Sequence, residues 1–279
     1  MKSNRKGIHK FFSYLLLTIV TVIVIFPFYW MVVTSLKDST KVFEFPPQLI
    51  PDPVVFSNYV ELFKFQPNFP LYYFNSLYIA MLVTVGTGII ASLAGYSFAK
   101  IDFPFKGAIF LVLLSSMMIP TEATAIPLFN WMTKLKWINT HLPLIIPPIL
   151  GSGGIFGVFI MRQYFITIPD DMMEAAKIDG CNPWQTFFKV MLPMAIPALG
   201  SLSLITFLNN WNEFFAPLIY LSSDKLFTLP LGLSMFTDQA GTQWNLVMTA
   251  SVIATIPLLL VFFFAQKQFI ESIAFSGIK

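Results

Sequence analysis

The sequence predicts an all-α membrane protein, a polytopic bundle of six transmembrane helices. Its mean hydropathy is +0.72, and only 11% of the 279 residues are charged, against about 25% in soluble domains. Six apolar stretches approach the length of about 20 residues that a helix needs to cross a bilayer core. A span must satisfy its backbone hydrogen bonds internally, so many apolar segments separated by prolines indicate a helical bundle rather than a barrel.

The first apolar run follows a basic leader at residues 1–12, an arrangement similar to a signal peptide. The run is long and lacks a small-residue cleavage site, so we predict that it is a retained first span. A proline-rich loop at 37–71 is expected to form an irregular extracytoplasmic cap, because proline disfavours strands and long helices. The six predicted spans are 13–36, 72–98, 107–130, 142–163, 195–218 and 246–266. The other predicted segments are a cytoplasmic loop at 164–194 and a cytoplasmic tail at 267–279.

The distribution of lysine and arginine predicts the orientation. Six spans place both termini on one side of the membrane, together with the loop 164–194. Most of the 17 basic residues lie on that side, which the positive-inside rule assigns to the cytoplasm. They are Lys2, Arg5, Lys6, Lys10, Lys100, Lys106, Arg162, Lys177, Lys189, Lys267 and Lys279.

Composition also excludes several classes of function. The net charge is only +3 and the basic residues are dispersed, which does not support nucleic-acid binding. The single cysteine, Cys181, cannot form an intrachain disulfide. Two histidines, His9 and His141, are too few for haem or a metal cluster. Redox chemistry is therefore not expected.

A charged helix-turn lies within the loop 164–194. Asp170 or Asp171 can cap a helix N-terminus, and acidic residues in the first turn suit the helix dipole. Gly180 can end the helix in a left-handed conformation. The sequence therefore predicts a short helix lying along the membrane surface.

The side chains of this short helix allow two interpretations. Ala175 and Ala176 offer a shallow face that could seat in the groove of another protein. Glu174 and Asp179 could then fix the register through hydrogen bonds. The other interpretation is an ordinary interfacial connector between two spans, and the residues alone leave both open.

The segment resembles the EAA loop of ABC-importer permeases, in which Glu-Ala-Ala, three further residues and Gly form a coupling helix that docks on an ATPase subunit. Further segments are similar, in order and spacing, to maltose-type carbohydrate permeases of the smaller, second-subunit kind. The matching segments are Glu174 to Gly180, Asn75-Ser76-Leu77, Gly95-Tyr96-Ser97-Phe98-Ala99-Lys100, Met118-Ile119-Pro120, Arg162-Gln163-Tyr164-Phe165, Ile168-Pro169, Leu192-Pro193, Trp211-Asn212-Glu213-Phe214 and Thr228 to Leu233.

The resemblance implies the fold of a type I ABC importer transmembrane domain in a bacterial cytoplasmic membrane. It implies a heterodimer with a homologous second permease subunit, an ATPase subunit dimer, and an extracytoplasmic solute-binding protein that delivers a carbohydrate, with an oligosaccharide favoured. The tail 267–279 resembles tails that reach toward the ATPase, or is a frayed terminus. The residues implied in ATPase coupling are Glu174, Ala175, Ala176, Asp179 and Gly180.

No cofactor and no catalytic residue is expected in this chain. The Walker A pattern is missing from the sequence. The chain is therefore expected to be a non-hydrolytic permease subunit, with ATP and Mg bound by the partner ATPase.

Polar residues within the fifth predicted span suggest a substrate pathway. A rise of about 1.5 Å per residue places Asn209, Asn212 and Glu213 in the outer half of the bilayer, on one helical face. Amides and a carboxylate beside Trp211 and Phe214 suit a sugar, because hydroxyls accept and donate hydrogen bonds and aromatic rings cover the ring faces. The same groups could instead hydrogen-bond a neighbouring helix or cap a broken one. Both interpretations stay open.

Small residues predict where helices approach closely or bend. Gly88 with Ser92 and Ala91 with Gly95 recur at helical spacing on the second span, which suits close packing. Gly151-Ser152-Gly153-Gly154 lies near the middle of the fourth span, where a kink or local unwinding is expected.

Alternative functions remain to be weighed against the importer. A permease for a sugar phosphate or a polyol such as glycerol phosphate has the same outline, but would favour a basic cavity, and no span carries Lys or Arg near its centre. An ion-coupled secondary transporter would use intramembrane ionisable residues, and only Glu213 and Glu122 are candidates. A membrane-embedded enzyme would require paired acids or histidine clusters at membrane depth, which the sequence lacks.

Overall fold

The computed structural model describes the backbone of residues 2–238 and 241–276, and the side chains of residues 10–236, 241–264 and 266. The described part is almost entirely helical, with one short hairpin of β1 (Thr237–Asp238) and β2 (Gly241–Thr242). The α-helices are α1 (Lys2–Ser35), α2 (Asn58–Phe65), α3 (Phe69–Lys100), α4 (Lys106–Ser116), α5 (Ala125–Lys134), α6 (Leu142–Leu150), α7 (Ser152–Thr167), α8 (Asp171–Ile178), α9 (Pro183–Thr186), α10 (Leu192–Met194), α11 (Ile196–Trp211), α12 (Phe215–Tyr220), α13 (Leu229–Leu233) and α14 (Trp244–Ser276).

The chain divides into two compact units. The first comprises the residues up to Phe69 together with Leu233–Ile256. In it, Asn58 on α2 donates from Nδ2 to the carbonyls of Ser35 and Lys37, at 2.8 Å each. Buried polar groups need such partners, so this network fixes α2 against the end of α1.

The second unit comprises Pro70–Gly232 and the residues from Pro257 onward, and it contains two hydrophobic clusters. We call the cluster next to the loop 164–194 the loop-side core. The other is the distal core. The loop-side core is built from α3, α4, α7, α11 and Phe187, and the distal core from the start of α3, α5, α6 and α12. Helices that follow one another in the chain therefore pack in different cores. The loop-side core takes α4, α7 and α11, and the distal core takes their neighbours α5, α6 and α12.

Within the described residues, four helical segments are long and apolar enough to cross a membrane: Lys10–Ser35, Phe69–Lys100, Leu142–Thr167 and Trp244–Phe264. A fifth candidate is the bent pair of Pro183–Met194 and Ile196–Trp211. At least four apolar spans are therefore present, and the number six stays a prediction.

Three of the predicted spans are interrupted, two of them by more than one residue. The stretch 107–130 forms α4 and α5, separated by a turn and a 3-10 segment at Glu122–Thr124. The 11 residues of α4 extend only about 16 Å at the rise of an α-helix, so α4 alone is too short to cross a bilayer core. The stretch 195–218 forms α11 and the short α12. The helix predicted to end at 266 continues to Ser276.

The predicted close packing along α3 is present. A Cβ added to Gly95 would lie 2.7 Å from the Met161 Cβ and 2.8 Å from the Arg162 backbone nitrogen. On α7, a Cβ added to Gly157 would lie 2.9 Å from the Ala91 Cβ. The missing side chains therefore let α3 and α7 approach closely, as small residues do in membrane bundles.

The predicted irregularity at Gly151-Ser152-Gly153-Gly154 is also present, as a one-residue break between α6 and α7. Gly151 leaves the helical region, with φ −92° and ψ −147°. A Cβ on Gly154 would lie 1.8 Å from the Ile149 carbonyl oxygen, so the break requires glycine there.

Candidate functional site

The predicted short helix in the loop 164–194 is α8, Asp171–Ile178. It ends in a Schellman motif: the N–H of Cys181 donates to the Ala176 carbonyl at 2.9 Å, and the N–H of Gly180 to the Lys177 carbonyl at 3.0 Å. Gly180 has φ +80°, the left-handed conformation predicted for it, which favours glycine.

The residues of the α8 segment divide between two faces. Ala176 is buried, at 4% exposure, and it anchors the helix on the protein. The other four residues implied in coupling are exposed: Glu174, Ala175, Asp179 and Gly180. Two carboxylates, an alanine and the glycine of the closing turn are thus exposed along this segment.

A buried lysine fixes the start of this loop. The Lys100 ammonium donates to the Ile168 carbonyl at 2.5 Å and to the Asp170 carboxylate at 2.6 Å. The Lys100 side chain is only 6% exposed, whereas that of Asp170 is 77% exposed. Asp170, a predicted helix cap, is therefore directed to the end of α3. Loss of this carboxylate would leave a buried ammonium with one fewer partner, which is costly.

The bonds from Lys100 to Ile168 and Asp170 stabilise the start of the loop near neutral pH. The hydrogen bond from Lys100 and then its charge hold the pKa of the Asp170 carboxyl below its ordinary value. Because the folded-state pKa is the lower one, the stabilisation is fully present above the ordinary pKa of the carboxyl. It is lost as the pH falls through the lowered value.

A second contact, just before the loop, joins α7 to α3 and α4. Arg162 on α7 donates from Nε to the Phe98 carbonyl at 3.1 Å, and its guanidinium lies 4.3 Å from the centre of the Phe110 ring. The guanidinium is therefore satisfied inside the protein. Sequence analysis used Lys100 and Arg162 only as topology signals, although both stand in the segments that carry the family resemblance.

The end of the loop forms a bent segment, Pro183–Met194, that we call the elbow. It begins with a capping box, in which the Asn182 carboxamide oxygen accepts from the Gln185 N–H and the Gln185 side chain accepts from the Asn182 N–H, both at 2.9 Å. A π-helical stretch at Phe187–Met191 follows. The elbow makes an angle of 74° with α11.

The predicted substrate pathway falls at a helix break. The sequence predicted that Asn209 and Glu213 share one helical face. They do not, because the helix α11 ends at Trp211, before Glu213. The Asn212 Nδ2 donates back to the Leu208 carbonyl at 2.8 Å. The Glu213 Oε1 accepts from the Ala216 N–H at 2.9 Å, at the start of α12. These two side chains compete with the helix ladder and cap the broken helix.

The exposure of these residues separates them. Asn209 and Asn212 are exposed and Glu213 is half-buried, so all three can be reached from outside the chain. Trp211 is 2% exposed, stacked on Phe207 with ring centroids 5.8 Å apart. Its expected role as a sugar-facing ring does not fit this burial, because the indole belongs to the core.

The part of the second unit around the distal core is held by contacts that were not predicted from the sequence. The Asn75 Nδ2 donates to the carbonyls of Lys225 and Phe227, at 3.0 and 2.9 Å, and the Ser76 hydroxyl accepts from the Leu229 N–H at 2.8 Å. The His141 Nε2 contacts the Leu226 carbonyl at 2.7 Å. The motifs Asn75-Ser76-Leu77 and Thr228 to Leu233 are therefore paired structural elements, which fix the segment that follows α12.

Comparison of the backbone with solved structures defines the fold. The chain is similar to a bacterial ABC transporter involved in the import of the acidic polysaccharide alginate, with a TM-score of 0.82 at 22% identity, covering 94% of this chain and 97% of that chain. It also resembles a chain of the MetNI methionine ABC transporter, with a TM-score of 0.52 at 18% identity, covering 70% of this chain. The fold is that of a type I ABC importer permease, as predicted.

Sequence comparison then gives the family. Residues 85–274 match the binding-protein-dependent transport system inner membrane component, and the chain belongs to this family. It is a permease component of a binding-protein-dependent transport system. The matched region runs from the middle of α3 to the end of α14, and it includes both α8 and the break at Asn212.

Curated relatives align along nearly the whole chain. The arabinooligosaccharides transport system permease protein AraQ of Halalkalibacterium halodurans is 34% identical, covering 92% of each chain. The lactose transport system permease protein LacG of Rhizobium radiobacter is 31% identical, covering 97% of each. The sn-glycerol-3-phosphate transport system permease protein UgpE of Pectobacterium atrosepticum is 31% identical, covering 98% of each.

Proposed function

We propose that this chain is the second permease subunit of an ABC importer that carries a neutral carbohydrate, an oligosaccharide above all, across a bacterial cytoplasmic membrane. An extracytoplasmic binding protein delivers the substrate, a homologous permease completes the pathway, and a separate ATPase dimer binds ATP and Mg. Both termini and the loop 164–194 lie in the cytoplasm. Transport proceeds by alternating access, driven by closure of the ATPase.

The observation that carries the proposal is the outward face of α8 on a rigid base. Glu174, Ala175, Asp179 and Gly180 are exposed, while Ala176 is buried against the protein. Lys100 ties the start of the loop to α3. A force applied to α8 is therefore transmitted to a membrane-spanning helix, which is what coupling to an ATPase requires.

The break between α11 and α12 supports the substrate class. Irregular backbone at membrane depth is tolerated where it lines a cavity or is buried in protein, and broken helices mark transporter sites. The exposed amides of Asn209 and Asn212 suit sugar hydroxyls, and Glu213 adds a negative charge beside them. A carboxylate repels a phosphate, so these groups favour a neutral sugar.

A sugar phosphate or glycerol phosphate is the second candidate, because a UgpE protein is among the relatives. It would require a cation facing the pathway. In the second unit Arg162 is engaged by the Phe98 carbonyl and the Phe110 ring, and Lys100 by Ile168 and Asp170. A phosphate would therefore depend on cations from the partner permease.

Labelling of Cys181 tests the proposed orientation. It is the single cysteine of the sequence, half-buried directly after Gly180. We expect a membrane-impermeant maleimide to leave it unmodified in right-side-out vesicles and to modify it in inverted vesicles, read by mass spectrometry of the tryptic peptide that ends at Lys189. Assembly with the ATPase should slow the labelling.

The matched control for this labelling moves the cysteine to the loop 37–71. In a Cys181→Ser background, Ser39→Cys places a thiol at an exposed position there, and the reverse pattern is expected. Modification of Cys181 from the extracytoplasmic side would overturn the proposal, because α8 could not then meet an ATPase.

Two substitutions of Glu213 separate its cap from its role toward substrate. Glu213→Ala removes the acceptor for the Ala216 N–H and is expected to lower stability by about 1 kcal/mol, as loss of a helix cap does. Glu213→Gln keeps an acceptor oxygen and removes the charge. It should leave thermal unfolding unchanged but raise the substrate concentration for half-maximal uptake. Glu61→Gln, an exposed acid on α2, serves as the control. If Glu213→Gln takes up substrate as wild type does, the negative charge has no role toward substrate and Glu213 serves only as a helix cap.

A further inference from the structure

The elbow has one face inside the protein. Phe187 is 3% exposed and Met191 is fully buried, and both belong to the loop-side core. The Phe187 ring lies 5.2 Å from that of Tyr96, between ring centroids. The position of the elbow is therefore fixed by packing against α3.

The other face of the elbow is apolar, aromatic and outward. Trp184 is 65% exposed and Phe188 is 54% exposed. Their rings stack with centroids 6.2 Å apart and planes at 18°. Lys189, also exposed, follows directly. Tryptophan and lysine in one exposed segment are typical of the level of lipid headgroups, where an indole body and a charged tip both find suitable surroundings.

The charge of this surface differs from that of α8. The sequence of the elbow carries Lys189 as its charged residue, whereas α8 presents two acids, Asp171 and Glu174, and one base, Lys177. The 74° bend sets the elbow across the axis of α11. If α11 crosses the bilayer, the elbow lies close to the membrane plane. A basic, aromatic segment in that plane complements an anionic lipid surface.

A groove of about 290 Å³ opens beside the elbow, between it, α3 and α11. Its walls are mainly aliphatic and aromatic, and the α3 hydroxyls at its edge are committed to their own helix. Thr84 donates to the Ala80 carbonyl at 2.7 Å and Ser92 to the Gly88 carbonyl at 2.6 Å. The apolar lining includes Val85, Ile89, Leu93, Phe188, Leu192 and Leu199.

We propose that the elbow and this groove bind an anionic phospholipid. The acyl chain lies in the groove against Phe188, the indole of Trp184 sits at the headgroup level, and the Lys189 ammonium pairs with the lipid phosphate. Assignment to the inner leaflet rests on the proposed orientation of the chain, whereas the lipid contact does not. The lipid thereby holds the segment that joins α8 to α11.

The test uses the complete transporter in nanodiscs of phosphatidylcholine and phosphatidylglycerol, with bromine on the acyl chains of one lipid or the other. The fluorescence of Trp184 is obtained as the difference between wild type and Trp184→Phe, since the chain has six tryptophans. We expect this difference to be quenched by both lipids, with phosphatidylglycerol enriched about fivefold at the site, the ratio that corresponds to about 1 kcal/mol for one lysine at an anionic surface.

Two variants complete the design. Lys189→Gln should remove the preference for phosphatidylglycerol while the quenching remains. Trp244→Phe, which reports an exposed tryptophan on α14 with no lysine or arginine between residues 226 and 266, should show no headgroup preference. Equal quenching of Trp184 by the two lipids would overturn the anionic site. Two outcomes would overturn lipid binding altogether. Trp184 could be quenched only by acrylamide, a water-soluble quencher, or it could be quenched by no agent because the ATPase or the second permease covers the elbow. Bromine in both leaflets makes each result independent of the orientation that Cys181 labelling tests.

Discussion

Glu174→Lys is expected to abolish carbohydrate uptake while the chain still inserts and folds. Glu174 is exposed on α8, so its replacement disturbs no buried contact in this chain. In the assembled transporter the carboxylate is proposed to face a groove of the ATPase. A lysine there would repel a cation of the groove, or leave a hydrogen-bond donor of the groove without its acceptor. Such a change costs several kcal/mol at an interface, and each 1.4 kcal/mol is a factor of about ten in affinity.

Three measurements check this expectation together. Uptake of labelled substrate in cells should fall to background, co-purification of the ATPase should fall with it, and thermal unfolding of the isolated permease should match that of wild type. Asp102→Lys is the control, because Asp102 is also an exposed acid, in the loop between α3 and α4, where its carboxylate makes a surface ion pair with Lys106 at 3.4 Å. Normal uptake and normal ATPase co-purification by Glu174→Lys would eliminate α8 as the coupling element.

The sequence was sufficient to predict a helical membrane protein, the short helix α8 and its left-handed end at Gly180. These features depend on composition and on local rules, such as the acids in the first turn and the glycine after the last. The contacts of small residues on α3 were predictable for the same reason, since Ala91 and Gly95 recur at helical spacing.

The helix breaks were harder to predict, because hydropathy averages over side chains that capture backbone groups. Within 195–218, Asn212 donates to the Leu208 carbonyl and Glu213 accepts from the Ala216 N–H, and together they end α11 at Trp211. An apolar window records only that the stretch is long enough to cross a membrane.

Contacts between distant parts of the chain could not be read from the sequence at all. Lys100 and Asp170 are 70 residues apart, and Asn75 and Phe227 are 152 apart. Lys100 and Asn75 lie in segments that carry the family resemblance, and Asp170 and Phe227 directly adjoin such segments, but the pairing follows from how the helices pack. The resemblance therefore indicated that these positions matter without indicating what they contact.

The second large effect is expected from Gly95→Ala. The new methyl group would lie 2.7 Å from the Met161 Cβ and 2.8 Å from the Arg162 backbone nitrogen, and neither atom can rotate away. The helices α3 and α7 must separate, which costs about 1–3 kcal/mol for an overpacked core. This exceeds the gain of up to about 1 kcal/mol in helix propensity. Because α7 carries Arg162 and leads into the loop 164–194, transport should fall together with stability.

Gly107→Ala is the matched control for Gly95→Ala. Gly107 also lies in a helix, α4, but a Cβ there would meet nothing within 4 Å. We expect this variant to unfold at the wild-type temperature or slightly above it, measured by fluorescence-detected size exclusion after heating in detergent, and to transport normally. If Gly95→Ala behaves like Gly107→Ala in both assays, α3 and α7 are not in the close contact on which transmission from α8 to the membrane depends. If Gly95→Ala alone unfolds early, the close contact of α3 with α7 explains why a glycine stands at position 95. The next residue, Tyr96, packs its ring on Phe165 and Phe187 in the loop-side core.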